Sequence, residues 1–196
     1  MMKKVLLLLF CILMLAFTSN KSDFKMASCI IEDNSKLGII GSTNVSTFSC
    51  DLNFDNVNSK VKTLYQKIGN KIKFQDAHLE FSNTCFDCGS NLMNKDFLEM
   101  LDTKNHPQIT LDLKEITKNP INANEVIALV NISLAGHSKF YSIWLTTEHG
   151  NLLKASGCLN LKLSDFNLDP PKKVLGLVVV EDAIEIALDL NIKTLN

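Results

Sequence analysis

Apolar and polar residues alternate in steps of two through most of the C-terminal half of the chain. Successive side chains of a β-strand point to opposite faces, so this period indicates strands with one buried face. Several strands of this kind can each bury one face only by packing into a sandwich or by closing into a barrel. The pattern recurs in five segments, which begin near Ile109, Val126, Tyr141, Leu152 and Ile184.

The N-terminal half adds three segments rich in β-branched and aromatic residues: Leu37 to Phe54, Val61 to Tyr65 and Lys71 to Phe81. The last segment changes phase part of the way along, which predicts a bulge near Gln75 or Asp76. Eight to ten strands are expected in total. The predicted fold is all-β, a single closed antiparallel barrel of about eight strands with one short helix.

That helix is predicted from Asn94 to Leu101, where the apolar residues recur at helical spacing. Asn94 is the expected N-cap residue. The helix is expected to end before His106, because the residue ahead of Pro107 disfavours helical geometry.

An eight-stranded barrel is just wide enough either to be filled by side chains or to hold one slender ligand. Small residues in the inward phase favour a cavity, although they would equally complement large residues across the barrel. Phe97, Leu98 and Leu101 of the helix could close one mouth, as core residues or as a ligand lid. The candidate ligand-binding residues are Ala128, Val130, Tyr141, Ile143, Leu145, Ala155, Gly157, Phe97 and Leu101.

The N-terminus has the form of a secretory signal peptide. Lys3 and Lys4 precede an apolar run of 13 residues, Val5 to Phe17, against roughly 20 for a membrane-spanning helix. We expect a signal peptide over residues 1–20, a lead-in over 21–34 and the barrel domain over 35–194. The expected location is the periplasm or the extracellular medium.

Charge and motifs argue against several function classes. Without the two signal lysines the formal charge changes from −1 to −3, with no basic stripe, so nucleic acid is not an expected partner. No serine, cysteine or aspartate forms a recognisable nucleophile motif with one of the four histidines. We therefore expect no enzymatic activity, no metal and no cofactor.

Five cysteines follow the predicted signal peptide, which permits at most two intrachain disulfides in an oxidising compartment. Cys85 and Cys88 form a CxxC pair, which can be a structural disulfide partner, a redox dithiol, half of a metal site or two free thiols. The all-β context favours a structural disulfide, because redox pairs of this kind begin a helix in a βαβ unit. The preferred pairing joins Cys50 to Cys85 or Cys88, since both regions lie at strand ends.

Phe140 and Trp144 fall in the outward phase of their strand. They could pack under a loop, form a homodimer surface or make transient contact with a membrane during ligand exchange. Packing under a loop or in a dimer is the more usual role of such residues.

Several segments resemble, in order and spacing, the YceI-like family of lipocalin-like barrels that hold a polyisoprenoid chain. The resemblance covers roughly Ser35 to Ile192. It is carried by residues 35–48 (SKLGIIGSTNVSTF), 95–101 (KDFLEML) leading into 106–111 (HPQITL), 134–139 (LAGHSK), 163–168 (LSDFNL) and 178–190.

Three positions depart from the family pattern. Ala135 and Leu163 stand where a histidine and an arginine are often seen, and Asn167 stands where a glycine is usual. Any polar contact made by that histidine or arginine is not carried over to this chain. The cysteines Cys50, Cys85, Cys88 and Cys158 suggest a disulfide-bearing branch of the family.

Together these features predict an exported carrier or storage protein that encloses a long apolar ligand. The resemblance implies that this ligand is an isoprenoid or another lipid. The alternative from another class is a structural or partner-binding barrel with a filled interior. A third hypothesis is a thiol oxidoreductase that uses Cys85 and Cys88.

Overall fold

A computed structural model describes residues 24–57, 59–169, 172–173 and 177–195, and the predicted signal peptide lies outside these ranges. Its strands are β1 (Lys25–Ile31), β2 (Lys36–Thr43), β3 (Thr47–Leu52), β4 (Lys60–Ile68), β5 (Lys71–Gln75), β6 (His78–Ser82), β7 (Phe86–Asp87), β8 (Gln108–Lys118), β9 (Glu125–Leu134), β10 (His137–His149), β11 (Leu153–Lys162), β12 (Lys172–Lys173) and β13 (Val178–Leu195). One α-helix, α1 (Asn91–Met100), precedes β8.

Eight strands close into a ring in the order β1, β4, β5, β8, β9, β10, β11 and β13, and β13 pairs with β1 again. Every pairing is antiparallel. Closure leaves no free edge in the ring, which satisfies the backbone of each ring strand on both sides. The prediction of an all-β antiparallel barrel with one short helix is confirmed.

The closing seam is made by β13, which spans 18 residues. One edge of β13 pairs with β11, and its other edge pairs first with β2 and then with β1. Between these two partners, the Ser35 hydroxyl accepts a hydrogen bond of 2.9 Å from the backbone N–H of Asn191. The segment expected to be a lead-in, 21–34, thus contributes the ring strand β1.

The predicted alternation is clearest in β9, where Val126, Ala128, Val130 and Ile132 are buried and their neighbours are partly exposed. The predicted bulge is confirmed at Asp76, which has a positive φ of 60° and separates β5 from β6. The described residues form thirteen strands, above the expected eight to ten, because β2, β3, β6, β7 and β12 add to the eight of the ring.

Helix α1 begins three residues before the predicted start, so the assignment of Asn94 as its N-cap is wrong. Ser90 is the cap, and its hydroxyl accepts a hydrogen bond from the N–H of Met93. Asn94 lies in the first turn, where its side chain accepts from the N–H of Cys88 at 2.6 Å and donates to Asp87. In the described part of the chain, no helix is long and apolar enough to span a membrane.

Asn83 anchors the segment that connects α1 to β8. It is only 1% exposed, and its side-chain amide donates 2.9 Å hydrogen bonds to the Thr103 hydroxyl and to the His106 carbonyl. Its backbone N–H donates to the carbonyl of Pro107. One side chain therefore fixes the return of the chain from the helix to the barrel.

The β9–β10 hairpin turns through two residues with positive φ, Ala135 at 48° and Gly136 at 78°. Two-residue hairpin turns of this type require positive φ at both positions. Gly136 also has no room for a side chain, because an added Cβ would lie 2.8 Å from the His106 ring. Glycine is therefore required at position 136, whereas the alanine at position 135 is held in a conformation that costs free energy.

Asn83→Ala should lower the free energy of unfolding by about 2–3 kcal/mol, because it removes two buried hydrogen bonds and leaves their acceptors unpaired. Urea denaturation followed by circular dichroism measures this change. Asn105→Ala is the matched control, since Asn105 bonds only with Asp102 at an exposed position and should cost about 0.5 kcal/mol or less. Equal costs for the two variants would contradict the assigned role of Asn83.

Ala135→Gly should stabilise the protein by about 0.5–1 kcal/mol. Relief of left-handed strain of roughly 1–2 kcal/mol exceeds the extra backbone entropy of the unfolded chain, about 0.4–1 kcal/mol. Gly136→Ala should destabilise it, because the new methyl group meets the His106 ring. Thermal unfolding of both variants tests the pair, and a change of the same sign in both would contradict this account of the turn.

Candidate ligand cavity

A cavity of about 320 Å³ lies at the end of the barrel that carries the β9–β10 hairpin, beneath α1. Its wall is largely apolar. The lining residues are Ile39, Thr43, Ser46, Thr47, Phe48, Cys50, Cys88, Met93, Asp96, Phe97, Met100, Leu101, Ile109, Leu134, Leu161, Leu163, Leu168, Val178, Val180, Ile184 and Ile186.

Strands β2 and β3 form one wall with the first part of β13. Gly41 of β2 lies directly opposite Phe48 of β3, and a Cβ at Gly41 would overlap the Phe48 ring. The glycine therefore lets the ring lie flat against the strand pair. Ile184 and Ile186 face the same space from β13, in the inward phase that the alternation predicts.

Helix α1 covers this space with one face. Met93, Phe97, Met100 and Leu101 line the cavity at positions i, i+4, i+7 and i+8 of the chain. This spacing places side chains on one side of a helix. The Phe97 ring also packs on Phe86, with ring centroids 5.4 Å apart, so the helix is seated on the strand that leads into it.

A disulfide between Cys50 and Cys88 forms part of the cavity wall. The preferred pairing of Cys50 is thus resolved in favour of Cys88, and the expected disulfide is confirmed. Its formation contradicts the reading of Cys85 and Cys88 as a redox dithiol, because Cys88 already bonds to Cys50. The intervening Phe86 is extended, with φ −92° and ψ 136°, whereas redox CxxC pairs begin a helix.

Polar lining residues are few. Thr43, Ser46 and Thr47 come from the turn between β2 and β3, and Asp96 comes from α1. The Thr43 hydroxyl accepts a 2.9 Å hydrogen bond from the N–H of Ser46 and donates to the Ser46 carbonyl. The turn hydroxyl is thus already bonded within the turn, and apolar contact is the main interaction that the cavity offers.

The structure brings two of the nine predicted ligand-binding residues to this cavity, Phe97 and Leu101. The other seven, Ala128, Val130, Tyr141, Ile143, Leu145, Ala155 and Gly157, do not line it, and their role as ligand-binding residues stays a prediction. Ala128, Val130 and Ile143 are buried in the apolar core. At Gly157, a Cβ would lie 2.3 Å from the Trp144 carbonyl oxygen and 2.9 Å from the Leu145 side chain, so the neighbouring strand approaches too closely for a larger residue.

Tyr141 is held by a polar cluster outside the cavity. Its hydroxyl donates a 2.7 Å hydrogen bond to Asp165, which also forms an ion pair with Lys139, and its ring stacks on Phe166. Burial and then the Asp165 hydrogen bond raise the pKa of the Tyr141 phenol. Lys139 and then Tyr141 lower the pKa of Asp165. This cluster fastens the 3₁₀ turn Leu163–Phe166 to β10.

The same turn explains one departure from the family pattern. Asn167 has φ 55° and ψ 29°, in the left-handed region that glycine adopts without strain. Asparagine is one of the few other residues that enter this region readily. The backbone geometry at this position is therefore compatible with either residue.

Sequence reasoning missed the lining from β2, β3 and β13. Two signals were present: Ile184 and Ile186 lie in the predicted inward phase, and Phe48 ends the segment that resembles the family's opening strand. Which level of the barrel is empty depends on contacts between strands that are distant in sequence, so the periodicity alone could not locate the cavity.

The predicted outward orientation of Phe140 and Trp144 is confirmed, since each is 59% exposed. On the neighbouring strands, Trp144 lies between Ile127 of β9 and Cys158 of β11. Cys158 is an exposed free thiol.

Solved structures share this fold. BcnA of Burkholderia cenocepacia matches with a TM-score of 0.58 and 19% identity, over 81% of this chain and 95% of that chain. A polyisoprenoid binding domain from Saccharophagus degradans, implicated in plant cell wall breakdown, matches with a TM-score of 0.60 and 11% identity, over 87% of this chain and 100% of that chain. No curated protein matches the chain in sequence.

The family model of the YceI-like domain matches residues 30–192. This range runs from the end of β1 to the part of β13 that closes the ring. It includes the helix, the disulfide and every residue that lines the cavity. On this match, which covers most of its length, the chain belongs to the YceI-like domain family.

Proposed function

We propose that this protein is an exported carrier or storage protein that encloses the apolar chain of a polyisoprenoid or another long lipid and performs no chemistry on it. The proposed location is the periplasm or the extracellular medium. The observation that carries the proposal is the apolar cavity beneath α1.

The size and lining of the cavity support a chain-like ligand. At about 30 Å³ for a group the size of a water molecule, 320 Å³ accommodates on the order of ten methylene-sized groups. Burial of each CH₂ contributes about 0.8 kcal/mol, or about 8 kcal/mol in all. Association alone costs about 4–15 kcal/mol. A net gain therefore requires a ligand that fills the cavity with apolar groups, and a chain longer than about ten carbons would be enclosed only in part.

The comparison with the polyisoprenoid binding domain of Saccharophagus degradans supports an isoprenoid among such chains. The cavity itself favours a ligand over the alternative of a barrel with a filled interior. The thiol oxidoreductase hypothesis loses its dithiol, because Cys88 is bonded to Cys50. Asp96 is the one acidic residue among the described lining, so no pair of carboxylates for acid–base chemistry lines the described wall.

The disulfide also supports export, because disulfides persist mainly in oxidising compartments. The signal-like N-terminus supports export independently of the disulfide.

Organic extraction of the protein purified from its native host, followed by mass spectrometry, tests the proposal directly. A prenyl lipid or another long-chain lipid should be recovered in a stoichiometric amount. Protein that yields no lipid and also takes up no added farnesol or geranylgeraniol would refute the carrier function.

Ile39→Trp should reduce prenol uptake by at least about tenfold, because the larger ring occupies the cavity that the ligand needs. Ile40→Trp is the matched control: Ile40 is the next residue of β2, is 36% exposed and points away from the cavity. Fluorescence titration with a dansyl-labelled farnesyl probe measures both, and thermal unfolding checks that both are folded. Equal loss of binding in the two variants would place the ligand elsewhere.

A further inference from the structure

The Cys50–Cys88 disulfide joins the barrel to the strand that leads into α1. Cys50 lies in β3, and Cys88 follows β7 and precedes the Ser90 cap by two residues. The other described backbone ties between these parts are the two-residue ladder of β3 with β7 and a hydrogen bond from the N–H of Asn53 to the carbonyl of Cys85. The disulfide is thus the covalent attachment of the helix at its N-terminal side.

The helix depends on this attachment because of what lies beneath it. Helices of about ten residues are marginal without packing. Phe97 and Leu101 on this face pack in the apolar core, and Met93 and Met100 are partly buried against it. All four also border the cavity, and on that side they lack the dispersion contacts that a filled core would supply. The hydrogen bonds of Asn94 join α1 to its own lead at Asp87 and Cys88, and give it no further tie to the barrel.

Both sulfur-bearing residues also line the cavity, and each is almost fully buried. A ligand in the cavity would therefore lie against the disulfide as well as against α1. A ligand, the helix α1 and the Cys50–Cys88 disulfide would thus all contact one another around the same cavity.

We propose that the Cys50–Cys88 disulfide is a redox latch on α1, so that its reduction by a dithiol opens the helix and speeds the exchange of the bound lipid. This inference rests on the proposed function, because it concerns the same cavity.

The chemistry requires one two-electron reductant. A dithiol attacks the disulfide as a thiolate, forms a mixed disulfide and then closes its own disulfide. The S–S bond between Cys50 and Cys88 breaks, both cysteines become thiols, and the reductant supplies the two electrons and two protons. Cys85 is not required for this step.

Reduction of the disulfide and binding of the lipid should also affect each other's equilibria reciprocally. If reduction weakens lipid binding by some factor, bound lipid must disfavour reduction by the same factor. The disulfide should therefore be harder to reduce when the cavity is loaded than when it is empty.

The test compares oxidised protein, protein reduced with dithiothreitol, and Cys50→Ala/Cys88→Ala. Stopped-flow dissociation of a dansyl-labelled farnesyl probe into excess farnesol should become about tenfold faster after reduction and in the double variant, which corresponds to about 1.4 kcal/mol. Saturation with the probe should slow reduction of the disulfide, as followed by thiol alkylation and mass spectrometry. Cys158→Ala is the matched control, since Cys158 is exposed and unbonded, and should change neither rate.

Hydrogen–deuterium exchange separates failure of the latch from failure of the carrier function. On reduction, amides of residues 91–101 should exchange about tenfold faster while the β9–β10 hairpin keeps its protection. If oxidised protein binds no probe, the carrier function fails, and exchange in α1 still decides whether the disulfide holds the helix. Unchanged exchange and dissociation after complete reduction would overturn the latch. Faster exchange throughout the barrel would also overturn it, because the disulfide would then stabilise the whole fold.

Discussion

Strand β13 is hydrogen-bonded along both edges, and the closed barrel depends on this double pairing. With 18 residues it is long enough to serve two partners in succession on one side, β2 and then β1. The change of partner lies near Ser35, whose side chain bonds to the backbone of Asn191 at that point. Because β1 and β2 then continue to β4 and β3, one long strand sets both the closure of the ring and the extra layer formed by β3 and β7.

This arrangement also explains why the cavity lies at one end. Where β13 pairs with β2, the sheet extends to β3 and β7, and the chain crosses the barrel mouth as α1 instead of continuing as a ring strand. At this end the side chains of α1 and those of β2, β3 and β13 border a cavity instead of closing it. Nearer the middle of the barrel, buried side chains such as Ala128, Val130 and Ile143 fill the interior.

Features that depend on residues close in the sequence were predicted correctly, and features that depend on contacts between distant strands were not. Strand identity and facing were predictable because alternation is local, as the buried phase of β9 and the outward Trp144 show. The start of α1 was placed three residues late, because Asn94 and Ser90 are both good cap residues and only the pairing of β7 with β3 selects between them. The cavity lining was largely missed, because the fit of Leu145 to Gly157 is a cross-strand contact that no local pattern reports. Cys50 and Cys88 were among the expected partners, but only the register of β3 with β7 places them side by side.

The register of β3 with β7 has a consequence for both stability and ligand exchange. A two-residue ladder is too short to hold a helix by backbone hydrogen bonds alone, since each contributes only about 0.5–1.5 kcal/mol net. Apolar packing of Phe97 and Leu101 supplies part of the rest, but the same face of α1 also borders a cavity. A filled interior would hold the helix more firmly and exclude a ligand, whereas the cavity admits a ligand and leaves the helix less firmly held. A covalent bond at the N-terminal side of α1 resolves this conflict, because it positions the helix without occupying the space that a ligand needs. A bound chain would add the missing contacts, so ligand and disulfide stabilise the same closed position of α1.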